Sequence, residues 1–180
     1  MNEDILQELD RQLARLADGD RSASSAVFAV LWPRLVAFAE RSLGRGPDAD
    51  DAAQQALEKV FAQAGKYDRT RSALAWALAI TAWECRTLLA RRQRRKEDSI
   101  DGAAELAQTV AGPEEQVIRR GLSEALEVAV AGLSEEDRRT LKEAFFDETE
   151  GTSAPAFRKR KQRTLERLRG AWRRLYGSES

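Results

Sequence analysis

The sequence predicts an all-α protein: two small helical domains joined by a flexible linker. Three observations carry this expectation. Gly and Pro are few, 11 and 4 of 180 residues, so long stretches run without a breaker. Apolar residues recur at spacings of three and four along most of the chain. Between Glu97 and Pro113 that spacing lapses into small, polar and acidic residues, EDSIDGAAELAQTVAGP, with little that packs. The expected domains are therefore 1–96 and 114–180, with 97–113 as the linker.

The first domain reads as four helices with short joints. Ile5, Leu6, Leu9, Leu13 and Leu16 line an amphipathic helix that stops at Asp18-Gly19-Asp20. A second helix is expected to start between Ser22 and Ser25, good N-cap types, and to bury Val27, Val30, Leu31, Leu35 and Phe38. Pro33 lies inside it and is expected to kink or interrupt it. After Gly44-Arg45-Gly46-Pro47, Asp48 is expected to cap a third helix, with Asp50 and Asp51 in its first turn, where the dipole favours acids. Ala53, Leu57, Val60 and Phe61 would face inward, and Asp51, Gln54, Gln55 and Glu58 outward.

A loop over Gly65–Ser72, holding Lys66, Tyr67, Asp68, Arg69 and Arg71, leads to the fourth helix, Leu74 to Lys96. That helix starts apolar nearly all round. Trp76, Ile80, Trp83 and Thr87 share one face; Leu74, Leu78 and Cys85 lie on another. A helix of this kind is buried among neighbours, and its uncharged run, Ala73 to Trp83, is too short for a bilayer. Arg91, Arg92, Arg94, Arg95 and Lys96 then follow almost without interruption. A buried helix emerging as a cationic post asks for a polyanion, and aromatics beside cations suit single strands.

In the second domain Val117, Ile118, Leu122, Ala125, Leu126 and Ala129 line a helix closed by Gly132. Ser134 to Asp137 opens the next, a capping box with Asp in place of Glu, with Leu141, Ala144 and Phe145 as its core. Ser153 is expected to cap the last helix, with Pro155 in its first turn. Its buried stripe would be Phe157, Thr164 or Leu165, Leu168, Trp172 and Leu175, and its other face Arg158, Lys159, Gln162, Arg163 and Glu166. Arg, Lys and Gln near a helix start are the side chains that reach base edges in a major groove.

The formal net charge is zero, but as a sum of opposed blocks. Met1–Asp20 holds six acids against two arginines, whereas Arg158–Arg174 holds nine basic residues and one acid, Glu166. Such blocks matter for partners. There is no histidine, which removes Ser-His and Cys-His nucleophiles and most zinc or iron sites. No catalytic residue, metal site or cofactor is expected. The lone Cys85 falls in the apolar helix and reads as a small core residue. The acidic start, MNEDILQELD, lacks the basic, apolar make-up of a secretory signal.

The order of these features resembles a bacterial sigma factor of the extracytoplasmic-function (ECF) group, the two-domain kind. DADD and AAQQALEKVF, Asp48 to Phe61, are similar to that family's acidic motif, glutamine and apolar run. Tyr67-Asp68, Trp76, Ile80 and the arginines follow in the order of its region two. GTSAPAFRKRKQRTLERLR, Gly151 to Arg169, resembles the second half of its region-four helix-turn-helix. The likeness runs from about Leu13 to Lys96 and from Val117 to Tyr176. Between Leu141 and Gly151 the chain is shorter than the family pattern, by the helix that normally props the recognition helix.

The resemblance implies roles. Asp48, Asp50, Asp51, Gln54, Gln55 and Glu58 would dock on core RNA polymerase. Lys66, Tyr67, Arg69 and Arg71 fall on the loop that captures a base of the −10 element, and Trp83, where the family often has Asn, falls with Arg86 on the strand-reading helix. Arg91, Arg92, Arg94 and Arg95 fall where the upstream duplex is held. Ser153, Arg158, Lys159, Gln162 and Arg163 fall on the −35-reading face. The implied partners are core RNA polymerase, promoter DNA and an anti-sigma factor, with no membrane insertion and a cytoplasmic location. Two rivals stand beside this reading: a polymerase-independent helix-turn-helix regulator, which would bind duplex tightly alone, and a helical adaptor for an acidic protein, whose binding would survive nuclease.

Overall fold

The computed structural model describes residues 2–97, 113–145 and 155–177. Among them there are seven α-helices and no strand: α1 (Asn2–Ala17), α2 (Ser24–Leu43), α3 (Pro47–Ala62), α4 (Ala73–Glu97), α5 (Pro113–Ala131), α6 (Glu135–Phe145) and α7 (Pro155–Tyr176). The fold is all-α, as the helical spacing requires. Two 3-10 turns, Arg21–Ala23 and Ala64–Lys66, join α1 to α2 and α3 to α4.

The chain forms two compact units, Met1–Ser123 and Glu124–Ser180. The division falls inside α5, not in the expected linker, of which 98–112 lie outside the described residues. The physical reason is at Gly121. A Cβ there would stand 3.0 Å from Leu78 Cδ1 and 3.6 Å from Ala75 Cα, so the first part of α5 lies against α4 within unit one.

Unit one is built around α4. Nine consecutive residues, Ala73 to Thr81, are buried. Small residues at 73, 75, 77 and 79 let neighbouring helices approach; Leu74, Trp76, Leu78 and Ile80 supply the apolar area. Leu9 and Leu13 of α1, Val27, Leu31 and Leu35 of α2, and Ala53, Leu57 and Val60 of α3 complete the core. Composition alone does not separate such a helix from a membrane span: Arg21–Leu43 and Ala73–Arg94 are both long and apolar enough to cross one, although the apolar window of α4 is 61% buried inside the fold.

The start of α4 is enclosed as well, so its first N–H groups need partners. The Ser72 hydroxyl accepts from Ala75 N–H at 3.2 Å, and the Asp10 carboxylate of α1 accepts from Ala73 N–H at 2.7 Å. The buried Thr81 hydroxyl donates back to the Ala77 carbonyl at 2.8 Å.

Several expectations are corrected. Pro33 does not interrupt α2, which is continuous from Ser24 to Leu43. Its ring is exposed, where water can serve the carbonyl it leaves without a donor, and the Arg34 side chain donates to the adjacent Val30 carbonyl at 2.6 Å. Asp48 does not cap α3: Gly46, at φ 146°, precedes Pro47 in the first position, a placement its missing N–H and fixed φ favour. Ile5, Leu126, Phe145 and Leu175 are exposed, at the outer edges of their stripes.

Unit two packs Leu133, Leu141 and Ala171 with Val130, Leu165 and Leu168. Tyr176 is buried in place of Leu175; its hydroxyl donates to the Ala125 carbonyl at 3.1 Å and its ring meets Trp172 edge-on. Ser134 opens α6 as expected: its hydroxyl accepts from Asp137 N–H at 3.2 Å and donates to Asp137 Oδ2 at 2.7 Å.

Leu78→Ala, which opens a cavity beneath α4, is expected to cost about 2–5 kcal/mol. Leu175→Ala, at an exposed edge, is expected to stay within about 0.5 kcal/mol. Urea unfolding measures both.

Candidate nucleic-acid interface

The acidic face of α3 follows from its period. Ala49, Ala52, Ala53, Ala56, Leu57 and Val60 are buried, which turns Asp50, Asp51, Gln54, Gln55 and Glu58 outward, all exposed. Gln54 Nε2 donates to Glu58 Oε1 at 3.0 Å. Asp48 does not share this face: its carboxylate accepts from Arg92 of α4.

The loop from Lys66 to Ser72 is held from inside. Tyr67 is buried, its ring 5.5 Å from that of Trp76, and its hydroxyl donates to the Arg71 carbonyl at 2.6 Å. Asp68 Oδ1 accepts from the Thr70 hydroxyl and N–H at 2.7 and 3.0 Å, while Arg71 Nε lies 3.1 Å from Asp68 Oδ2. The Thr70 hydroxyl, then its N–H, hold the Asp68 carboxyl below the usual range. Arg69 pairs with Asp18. Tyr67 and Trp76 thus act as internal props, and the loop exposes Lys66, Arg69 and Thr70.

Along α4, Trp83, Arg86, Ala90 and Arg94 fall at spacings of three, four and four, on one face. Trp83 is half-buried and the Arg86 guanidinium lies 5.6 Å from its ring centroid, a cation–π pair. From Leu89 onward the helix leaves the core, and Arg91 and Arg94 are exposed. Arg92 is turned inward to Asp48 and the Leu43 carbonyl. Arg95 is helical, but its side chain lies outside the described set.

Two internal partnerships were not read from the sequence. Glu84 is buried and meets Lys59 Nζ of α3 at 2.6 Å. The signal was present: one carboxylate in an apolar helix, one lysine near the end of α3. Next to it, burial pushes the Cys85 thiol up to about 11, so it stays a neutral core group.

On α7, Arg158, Lys159, Gln162 and Arg163 are exposed on one face, with Gln162 Nε2 donating to Glu166 Oε1 at 3.2 Å. Ser153 lies outside the described residues. The helix is seated through Asp137, read from the sequence as a capping-box residue but not as a partner of α7. This buried carboxylate accepts from the Thr164 hydroxyl at 2.8 Å and from Arg167 Nη1 at 2.8 and 3.0 Å, besides Ser134. Arg160 is held by Glu143 at 2.9 Å and lies over Phe157, and Lys161 lies over Phe145, so these two face the protein rather than the exposed stripe.

Residues 28–95 match the family model of Sigma-70 region 2. The match runs from within α2 through α3 to the basic end of α4 and so takes in the acidic face, the loop and the Trp83 stripe. It supports a sigma-factor role in promoter recognition, a class of transcription initiation factor rather than of enzyme. No curated protein matches the chain.

Lys59→Ala strands the Glu84 carboxylate and is expected to cost about 3 kcal/mol, the lower end for breaking a buried pair; Lys59→Met with Glu84→Leu is expected to recover most of it. Thermal and urea unfolding read both.

The Ser134 hydroxyl above all, then Thr164 and Arg167, hold the Asp137 carboxyl below its ordinary value against the opposing effect of burial. Its contribution to stability is therefore complete above the unfolded-state value, about pH 4, and is lost as pH falls through the lower folded-state value. Hydrogen exchange of α6 is expected to accelerate below about pH 4, and Asp137→Asn to weaken that acid dependence.

Proposed function

We propose that the chain is a dissociable initiation factor of the ECF sigma type. It binds core RNA polymerase through Asp50, Asp51, Gln54, Gln55 and Glu58 on α3. It captures the −10 strand with the Lys66–Ser72 loop and the Trp83–Arg86 stripe. It holds the adjoining duplex with Arg91, Arg94 and Arg95, and meets the −35 element with Arg158, Lys159, Gln162 and Arg163, flanked by Ser153. An anti-sigma factor is a further partner of this reading.

The observation that carries it is the overlap between the region-two match, 28–95, and three adjacent features of one rigid bundle: an acidic helix face, a preformed loop and an aromatic-to-basic helix. An acidic face suits a basic partner surface. A stacking ring beside cations suits an extruded base, with binding offsetting an unstacking cost of a few kcal/mol per step. Trp83 stacks where an amide would hydrogen-bond, which favours a base-tolerant grip.

Run-off transcription with purified core polymerase over a genomic library of templates is the direct test; the reading expects discrete, promoter-specific products, and their absence rejects it. Asp51→Arg with Gln54→Ala is expected to abolish core binding in a pull-down while the helical spectrum is unchanged. Arg158→Ala with Arg163→Ala is expected to lower the slope of log affinity against log salt for duplex by about two; an unmoved slope takes α7 off the DNA.

A further inference from the structure

Charge alone gives the arginines that close α4 a single role, and geometry separates one of them. Arg92 Nε and Nη2 both donate to Asp48 Oδ2, the former at 2.7 Å, and Nη1 donates to the Leu43 carbonyl at 3.0 Å. Leu43 is the last residue of α2 and Asp48 lies in the first turn of α3. One guanidinium therefore joins the end of α2, the start of α3 and the emerging part of α4. Each bond is favoured separately. A cation belongs at the carbonyl end of a helix, a carboxylate at its N–H end, and the planar fork serves both at once. The turn being spanned contains Gly44 and Gly46, at φ 83° and 146°, the permissive backbone that most needs an outside tie. Arg91 and Arg94, by contrast, are exposed, and Arg94 Nε reaches back only as far as the Ala90 carbonyl, at 3.3 Å.

We propose that Arg92 is a positioning residue and not a phosphate contact, and that its clasp on Asp48 and Leu43 fixes the line along which α4 presents Arg91 and Arg94. The inference rests on the reading of that end of α4 as the duplex-holding element. It also assigns Asp48 to the bundle instead of the polymerase-facing set. Three of its five N–H donors are engaged within the protein, and they orient the guanidinium toward Asp48 and Leu43.

Hydrogen exchange of the free, full-length protein tests the clasp without DNA. Arg92→Gln and Asp48→Asn are each expected to speed exchange roughly five- to tenfold over Gly44–Asp50 and Leu88–Arg92, and the double variant to match the singles, since all three break one shared contact. Arg92→Lys is expected to behave like Arg92→Gln, because an ammonium cannot span Asp48 and Leu43 together. Unchanged exchange in Arg92→Gln, with the helical spectrum retained, overturns the clasp.

Salt titration against a labelled mixed-sequence duplex tests the second half. Arg91→Gln with Arg94→Gln is expected to lower the salt slope by about two, and Arg92→Gln to leave it unmoved. If Arg92→Gln lowers it by about one in both the native and the Asp48→Asn backgrounds, and Arg92→Lys restores it, Arg92 is a phosphate contact and the proposal fails. If the Arg91 and Arg94 pair leaves the slope unmoved while exchange responds as expected, the clasp stands and the duplex-holding reading is what fails.

Discussion

A helix enclosed on every side has no solvated face, so each of its polar groups must find a partner inside the protein. The first part of α4 imposes this condition on unit one. Nine buried residues in succession cannot be covered by one neighbour; they require α1, α2 and α3 around them. They also require a carboxylate from α1 at the helix start, a hydroxyl that folds back at Thr81, and a lysine from α3 for Glu84. The small residues at alternate positions are the other half of the solution, since they bring those partners within reach.

The enclosed half of α4 also sets the direction of its exposed half. Because the N-terminal turns are immobilised by packing, the stripe of Trp83, Arg86 and Arg94 leaves the core at a defined angle. The loop before α4 is fixed by the same packing, through the Tyr67 ring against Trp76 and the Tyr67 hydroxyl on the Arg71 carbonyl. Aromatic side chains that look like contact residues in the sequence are thereby spent on rigidity. The exposed Lys66, Arg69, Arg86, Arg91 and Arg94 and the half-buried Trp83 are then carried by a scaffold fixed by packing.

The fold was legible because spacing reports which side of a helix is apolar, and α1, α3 and α4 lie where their periods put them. The Asp137 capping box was legible for a similar reason: it is local. What escaped was everything decided by partners distant in the chain. Pro33 breaks a helical pattern on paper, but it lies on an exposed face, where the carbonyl it leaves without a donor is open to solvent. Arg92 and Arg91 are neighbours of equal charge, and nothing local says that one turns in to Asp48, 44 positions away, while the other turns out. Glu84 looks like a solvated acid until Lys59 is brought beside it, and nothing local ties the capping Asp137 to Thr164 and Arg167. Long charged side chains are the least predictable part of a sequence, because their reach exceeds one helical turn.

The role of α1 bears on where a working module can be cut from this chain. The recognisable likeness to region two begins at residue 28, within α2, yet Leu9 and Leu13 are buried to 1% and 0% exposure and Asp10 holds the first N–H of α4. Heredity and cooperativity therefore draw different borders. A fragment trimmed to the likeness would begin in mid-helix, would uncover one wall of its own interior and would leave α4 fraying at the end that faces the loop. The smallest autonomous piece must reach back to α1, so any hybrid built from the matched segment has to carry this chain's α1 with it.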